Sequence, residues 1–170
     1  MLYKGLEKIS KIVSVVLGYL VSFLVVSCCA ALFFQVIYRF IIVKFVSFSF
    51  PFTEEYARYA LIWMTYLSIS ICYKEESMAS VNLVYDKLHG KAKTAMFIIT
   101  RLMILVFLVV VMVYGMRFVQ NNRLFHSATM QVPGVFLHSA PLVGGIFLTY
   151  EWLTEVIGVL TGNLEPFESR

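Results

Sequence analysis

Glu54 and Glu55 stand four and three residues ahead of Arg58, at the head of an apolar stretch running from Tyr56 to Tyr73. On a helix that spacing puts both carboxylates within a turn of the guanidinium, in the favourable acid-before-base order. Ionisable groups at the edge of hydrocarbon are costly and mark a partner, a pathway or an internal ion pair. Two kinds of chemistry fit. The acids could take up a proton or cation for a small exchanger, or they could brace Arg58 and form a docking point. In water such a pair is worth about 0.3–0.5 kcal/mol. At a partly desolvated membrane edge, breaking it would strand a charge and cost several-fold more. An exchange carboxylate normally lies deep in the bilayer without a fixed cation. These two open their helix, which favours the brace or docking point.

Other chemistry is sparse. His89, His126 and His138 fall in three different segments, none with a second ligand at metal spacing. No phosphate-binding glycine run and no G-x-S-x-G element is present. His138, inside an apolar stretch, reads as a packed or hydrogen-bonded residue. Cys28, Cys29 and Cys72 lack ligand spacing, and the two adjacent ones are poorly placed to bridge each other. The expectation is a chain that is not an enzyme, with no cofactor and no metal.

The elements that must position the cluster follow from composition. Of 170 residues, 60% are hydrophobic and 14% charged, with a mean hydropathy of +0.82. That is too little polar surface for a soluble domain of this size. Four long apolar stretches each approach or exceed the roughly 20 residues that a helix needs to cross hydrocarbon. Backbone groups in lipid must bond internally, and no stretch alternates as a barrel strand would. The fold class is therefore an all-α integral membrane protein, with spans near 12–43, 54–73, 95–117 and 132–157 in one membrane domain over 1–170.

The net charge of +4 and pI of about 9.0 come from basic residues between the spans, not from a nucleic-acid surface. With the N-terminus inside, Lys4, Lys8, Lys11, Lys74, Lys87, Lys91, Lys93 and Arg170 face the cytoplasm, and Arg39, Lys44, Arg117 and Arg123 face outward. The asymmetry places both termini in the cytoplasm. The apolar run continues past Cys28 through Ile37, so a retained first helix is expected rather than a cleaved signal. That run is long enough to require tilt or projection. Pro51 suits the first turn of the next helix, with Thr53 as its N-cap. Met78, Val81, Val84, Tyr85 and Leu88 recur at three- and four-residue spacing, which predicts a short amphipathic helix over 78–90, flat on the cytoplasmic interface. Arg39, Arg101 and Arg117 are placed to snorkel toward lipid headgroups. Pro141, Gly144 and Gly145 would kink the fourth span or admit a close neighbour. Glu151 and Glu155, one turn apart, read as a solvated or headgroup-facing surface.

The segment Phe52-Thr53-Glu54-Glu55-Tyr56-Ala57-Arg58-Tyr59-Ala60-Leu61-Ile62-Trp63 resembles the signature of the small, DctQ-like membrane subunit of tripartite ATP-independent periplasmic transporters. That signature runs aromatic, any residue, Glu-Glu, two residues, Arg, then Trp. The 78–88 segment, the Val132-Pro133 entry and Pro141-Leu142-Val143-Gly144 are similar to later family features. Asn82, where the family often has Asp, departs from the pattern, as does the lack of a Trp just before the acids. The resemblance implies a scaffold subunit in a bacterial inner membrane. Its implied partners are membrane lipids, a large elevator-type membrane subunit and a periplasmic binding protein. The implied cargo is an organic acid, such as a C4-dicarboxylate or sialic acid, moved with sodium. Glu54, Glu55, Arg58 and Trp63 are then docking candidates. The alternatives are a self-sufficient four-helix ion exchanger acting as a homo-oligomer and, more weakly, a redox-enzyme anchor, which the chain's lack of a haem-holding His pair disfavours.

Overall fold

The computed structural model describes residues 2–41, 51–76 and 91–164. All regular structure among them is helical: α1 (Leu2–Phe40), α2 (Phe52–Glu76), α3 (Lys91–Asn121), α4 (Gly134–His138) and α5 (Ala140–Leu160). One isolated antiparallel bridge, His126 to Pro133, closes the loop between α3 and α4. The amphipathic helix expected over 78–90 lies outside the described residues, as does most of the link before Pro51.

Three stretches are long and apolar enough to cross a membrane: Gly5–Phe40, Ala92–Asn121 and Gly134–Leu160. The first has 36 residues and rises roughly 54 Å at 1.5 Å per residue, well beyond about 30 Å of hydrocarbon. It starts earlier than the apolar run because its basic first turns are packed. Tyr3 and Ser10 are buried, and the Leu6 carbonyl accepts the Tyr150 hydroxyl of α5 at 2.9 Å. At 25 residues α2 is long enough to span. Glu54, Glu55, Arg58 and Lys74, with several Ser and Thr residues, make it the most polar of the long helices. It begins at Phe52, so Thr53 lies within the first turn and not at the N-cap.

The fourth apolar stretch is two helices in series. The ladder continues around Ser139, which donates to the Val135 carbonyl and accepts from Val143, both at 3.0 Å. Pro141 has no N–H to offer Leu137, so the break falls there and Pro141 opens α5. The resulting α5 is the central element, packing on α1, α2 and α3. Gly144 makes this possible, since a Cβ at that position would stand 2.5 Å from the Tyr66 carbonyl oxygen of α2. The α1–α2 seam is likewise built from small residues, Cys28, Ala57 and Ala60, with Leu24 against them. Large apolar side chains instead face outward, among them Tyr19, Phe23 and Phe33 on α1 and Leu102, Met103 and Phe107 on α3.

Candidate functional site

Polar side chains gather at the two ends of the bundle, named outer and inner after the orientation that the charge asymmetry leads us to expect. At the outer end, the Glu55 carboxylate is the centre of a compact set of donors. It accepts the Ser127 hydroxyl, the backbone N–H of Thr129 at 3.0 and 3.2 Å, and that of Met130 at 2.9 Å. These donors belong to the α3–α4 loop, so Glu55 ties the head of α2 to residues 72 to 75 positions downstream. The loop is also held by its own backbone. Ser127 donates its N–H to the Val132 carbonyl at 3.0 Å, Gly134 donates to Phe125 at 2.7 Å, and Gln131 adopts a left-handed φ of 53° at the turn. Glu54 is engaged separately, accepting from the Gln35 side-chain amide of α1. Next to them on α2, the Tyr56 hydroxyl donates to Ser27 of α1 at 2.8 Å.

This arrangement corrects the expected internal brace. Among the described residues neither Glu54 nor Glu55 makes an ion pair with Arg58, which stays exposed. The physical reason is competition: charge-assisted bonds from fixed backbone N–H groups hold Glu55 without ordering a long, flexible arginine. Trp63 sits two turns in, its ring 5.0 Å from that of Phe136. It lines an apolar groove of about 540 Å³ between α1, α2 and the α4–α5 segment, and its indole nitrogen is buried with no hydrogen-bond partner among the described residues.

The inner end holds a cluster that reading the residue pattern missed. Arg101 and Glu155 form an ion pair, and the Tyr73 hydroxyl also donates to Glu155. The guanidinium lies over the rings of Phe97 and Tyr73, 5.0 and 5.3 Å from their centroids. Beside this pair, Ser10 donates to both oxygens of Glu151, at 2.8 and 2.9 Å. Lys74 donates to Ser10 at 2.8 Å and to Ser14 at 3.1 Å. Lys74, Arg101, Glu151 and Glu155 are all buried. Two expectations are therefore corrected. Arg101 does not snorkel but is enclosed at 6% exposure, and Glu151 and Glu155 are core residues instead of a solvated face. The signal was present. With antiparallel helices, Lys74 late in α2, Arg101 early in α3 and the two acids late in α5 all fall at one end of the bundle.

Arg39 and Arg117 are exposed near the outer ends of α1 and α3, with Arg117 5.9 Å from the Tyr114 ring centroid. His138 hydrogen-bonds the Gly134 carbonyl at 2.7 Å and stands edge-on to Phe118. No group of three His, Cys, Asp or Glu side chains could hold a metal among the described residues. The arrangement fastens helices and a loop together. It offers no reacting pair.

Comparison with known families gives one match, over residues 28–162, to the DctQ component of tripartite ATP-independent periplasmic transporters. The chain belongs to that family. No curated protein matches it. The matched region contains the Glu-Glu-x-x-Arg element, the outer loop and every charged member of the inner cluster; Ser10 and Ser14 precede it. The DctQ family is a transporter component rather than an enzyme family, and this DctQ chain is an inner-membrane protein.

Proposed function

We propose that this DctQ chain is a non-transporting scaffold subunit. It steadies and positions a large elevator-type membrane subunit, and it contributes to the outer surface where a periplasmic binding protein delivers an organic acid for sodium-coupled import. In this reading the single domain crosses the membrane four times, with α2 as the second span and both termini in the cytoplasm. The 78–90 segment lies flat on the inner interface with Met78, Val81, Val84, Tyr85 and Leu88 toward lipid. Arg58, exposed and without an ion pair among the described residues, is the docking candidate at the head of α2.

One observation carries the proposal: the charged groups of the described helices are engaged with one another or placed at the helix ends. Glu151, Glu155, Lys74 and Arg101 close on themselves at the inner end, and Glu54 and Glu55 are taken up by Gln35 and the outer loop. Between the two ends the large groove is lined by apolar side chains such as Leu20, Phe23 and Phe147. An ion or carboxylate would find no succession of polar partners there, and crossing hydrocarbon without them is prohibitive. A self-sufficient exchanger needs a carboxylate at liberty to bind and release its ion. The test is reconstitution of the purified chain alone in proteoliposomes. No sodium-driven uptake of any organic acid is expected, and uptake by the single chain would reject the proposal.

A further inference from the structure

We infer that the apolar groove between α1 and α5 is a lipid seat: it takes an acyl chain of a phospholipid from the leaflet at the Glu55 end, and it retains that lipid. The groove holds about 540 Å³. At the inner end its two flanking helices are tied together, where Ser10 meets Glu151 and Tyr150 meets the Leu6 carbonyl. Further out α2 joins them, through Ala57 and Ala60 against α1 and through Tyr66 against Gly144 of α5. Tyr56, Trp63 and Leu67 of α2 form the floor, with Phe23 of α1 on one side and Phe147 of α5 on the other. Among the described residues, none that lines the groove is charged.

The dimensions of the groove choose its occupant. Its floor runs from Tyr56 to Leu67, about 16 Å along a helix that rises 1.5 Å per residue. That is the depth of one leaflet, half of about 30 Å of hydrocarbon, and it begins next to Glu55 and the polar groups of the outer end. Dividing the volume by this length leaves a mean cross-section of roughly 34 Å², a slot about 6 Å wide. A helix with its side chains is about 10–12 Å across, so no helix of another subunit or of a second copy can lie in it. A hydrocarbon chain, whose carbons keep about 4 Å from their neighbours, fits lengthwise. The slot is also continuous with the surface that this inner-membrane protein turns to lipid, because Leu20, Phe23 and Phe136 line it and are exposed. Left empty, its walls would forfeit their dispersion contacts. A chain within it is touched from three sides, whereas one lying on a bare helix face is touched from a single side. The inference stands apart from the scaffold proposal, since it concerns the chain and its bilayer whatever role the chain plays.

Trp63, on the floor of the slot, is a built-in reporter. The chain's other tryptophan is Trp152, and Trp152→Phe leaves Trp63 as the sole indole. This full-length chain is reconstituted in phospholipid brominated along its acyl chains, then mixed with an excess of unbrominated vesicles. Bromine quenches a tryptophan that it touches, and quenching fades as the lipid exchanges. The control carries Trp63→Phe, Trp152→Phe and Val109→Trp, which puts the indole on the exposed face of α3. Quenching of Trp63 should outlast that of the control many-fold. Val143→Phe narrows the slot, and Phe23→Ala removes one side of it; Phe23 is 68% exposed, so its loss leaves the helix packing in place. Each should shorten the persistence several-fold while the protein melts as before. The slow quenching should survive assembly with a large subunit stripped of its own tryptophans. Trp63 quenching that fades as fast as the control's would overturn the seat. Persistence unchanged in both slot variants would put the retained lipid elsewhere and overturn it too. Quenching abolished by assembly would give the slot to side chains of the large subunit and overturn the lipid as its occupant.

Discussion

Replacing Arg101 by leucine tests the inner cluster most directly. Arg101 and Glu155 are 6% and 4% exposed, so the substitution strands a carboxylate that water cannot reach. Removing one partner of a buried pair costs about 3–5 kcal/mol. Glu155 keeps the Tyr73 hydroxyl as a donor, which puts Arg101→Leu toward the lower end. Glu155→Leu should cost at least as much, because it leaves both a guanidinium and the Tyr73 hydroxyl without their acceptor. The double variant strands no charge. The Tyr73 hydroxyl loses Glu155 as an acceptor, at about 1–3 kcal/mol. Additive behaviour would instead give roughly 6–10 kcal/mol, the sum of two stranded charges. Thermal unfolding of the purified protein in detergent reads the difference, at about 2–4 °C per kcal/mol for a chain of this size. Arg101→Leu should melt about 6–20 °C lower, and the double variant should melt above either single. A double variant as unstable as the summed singles would refute the pairing. An Arg101→Leu protein within a degree or two of wild type would return Arg101 to the lipid interface.

Lys74→Met should cost a similar ~3–5 kcal/mol, because Glu151 and Glu155 would then share one cation; unchanged melting would show that Lys74 reaches water. Gly144→Ala drives a Cβ to 2.5 Å from the Tyr66 carbonyl oxygen and should lose at least ~1–3 kcal/mol. Gly18→Ala, with nothing within 4 Å, should be neutral or gain up to about 1 kcal/mol, and equal melting of the two variants would dismiss the α2–α5 close approach. Arg58→Ala should lower recovery of the large subunit in co-purification while leaving the melting of the isolated chain unchanged; full recovery would remove Arg58 from the docking surface. In a background lacking Cys28, Cys29 and Cys72, single cysteines replacing Phe48 and Phe125 should label from the periplasm, and those replacing Glu76 and Glu168 only after permeabilisation. Periplasmic labelling at position 168 would overturn the four-span topology.

The helices were legible because hydrocarbon leaves the backbone few options: long apolar runs report them whatever their neighbours. Their ends were less so. The helical start of α1 is set by Tyr3, Ser10 and the Leu6 carbonyl meeting α5, contacts that no local pattern announces. Glu54 and Glu55 read as residues in need of partners, and the nearest candidate in sequence is Arg58. Helical spacing describes who can meet on one helix; it is silent about a loop 72 to 75 positions away whose hydroxyl and N–H groups meet Glu55. The positions of Arg101, Glu151 and Glu155 in the sequence mislead for a related reason. Each alone, near the end of a span, has an inexpensive escape to the headgroups, and only their shared depth with Lys74 argues against it.

That shared depth has a consequence for how the bundle assembles. The first two helices bring Lys74 to the inner end, while α3 and α5 bring Arg101, Glu151 and Glu155, a net charge of −1. Neither half is neutral by itself, and each would hold its excess charge at the interface until the other arrives. Docking the halves cancels the sum and lets all four groups be enclosed, with Ser10 standing between Lys74 and Glu151. Such a cluster is weak evidence for high stability, since an apolar core of the same volume can do as well. It does, however, select one way for the halves to meet, because any rotation or shift of α5 against α1 and α2 separates charges that are then buried unpaired. At the opposite end Glu55 imposes the same demand on the α3–α4 loop. A protein whose two ends are fixed by pairing and whose middle is apolar has its specificity invested in holding one shape, which is what the proposed scaffold role would require.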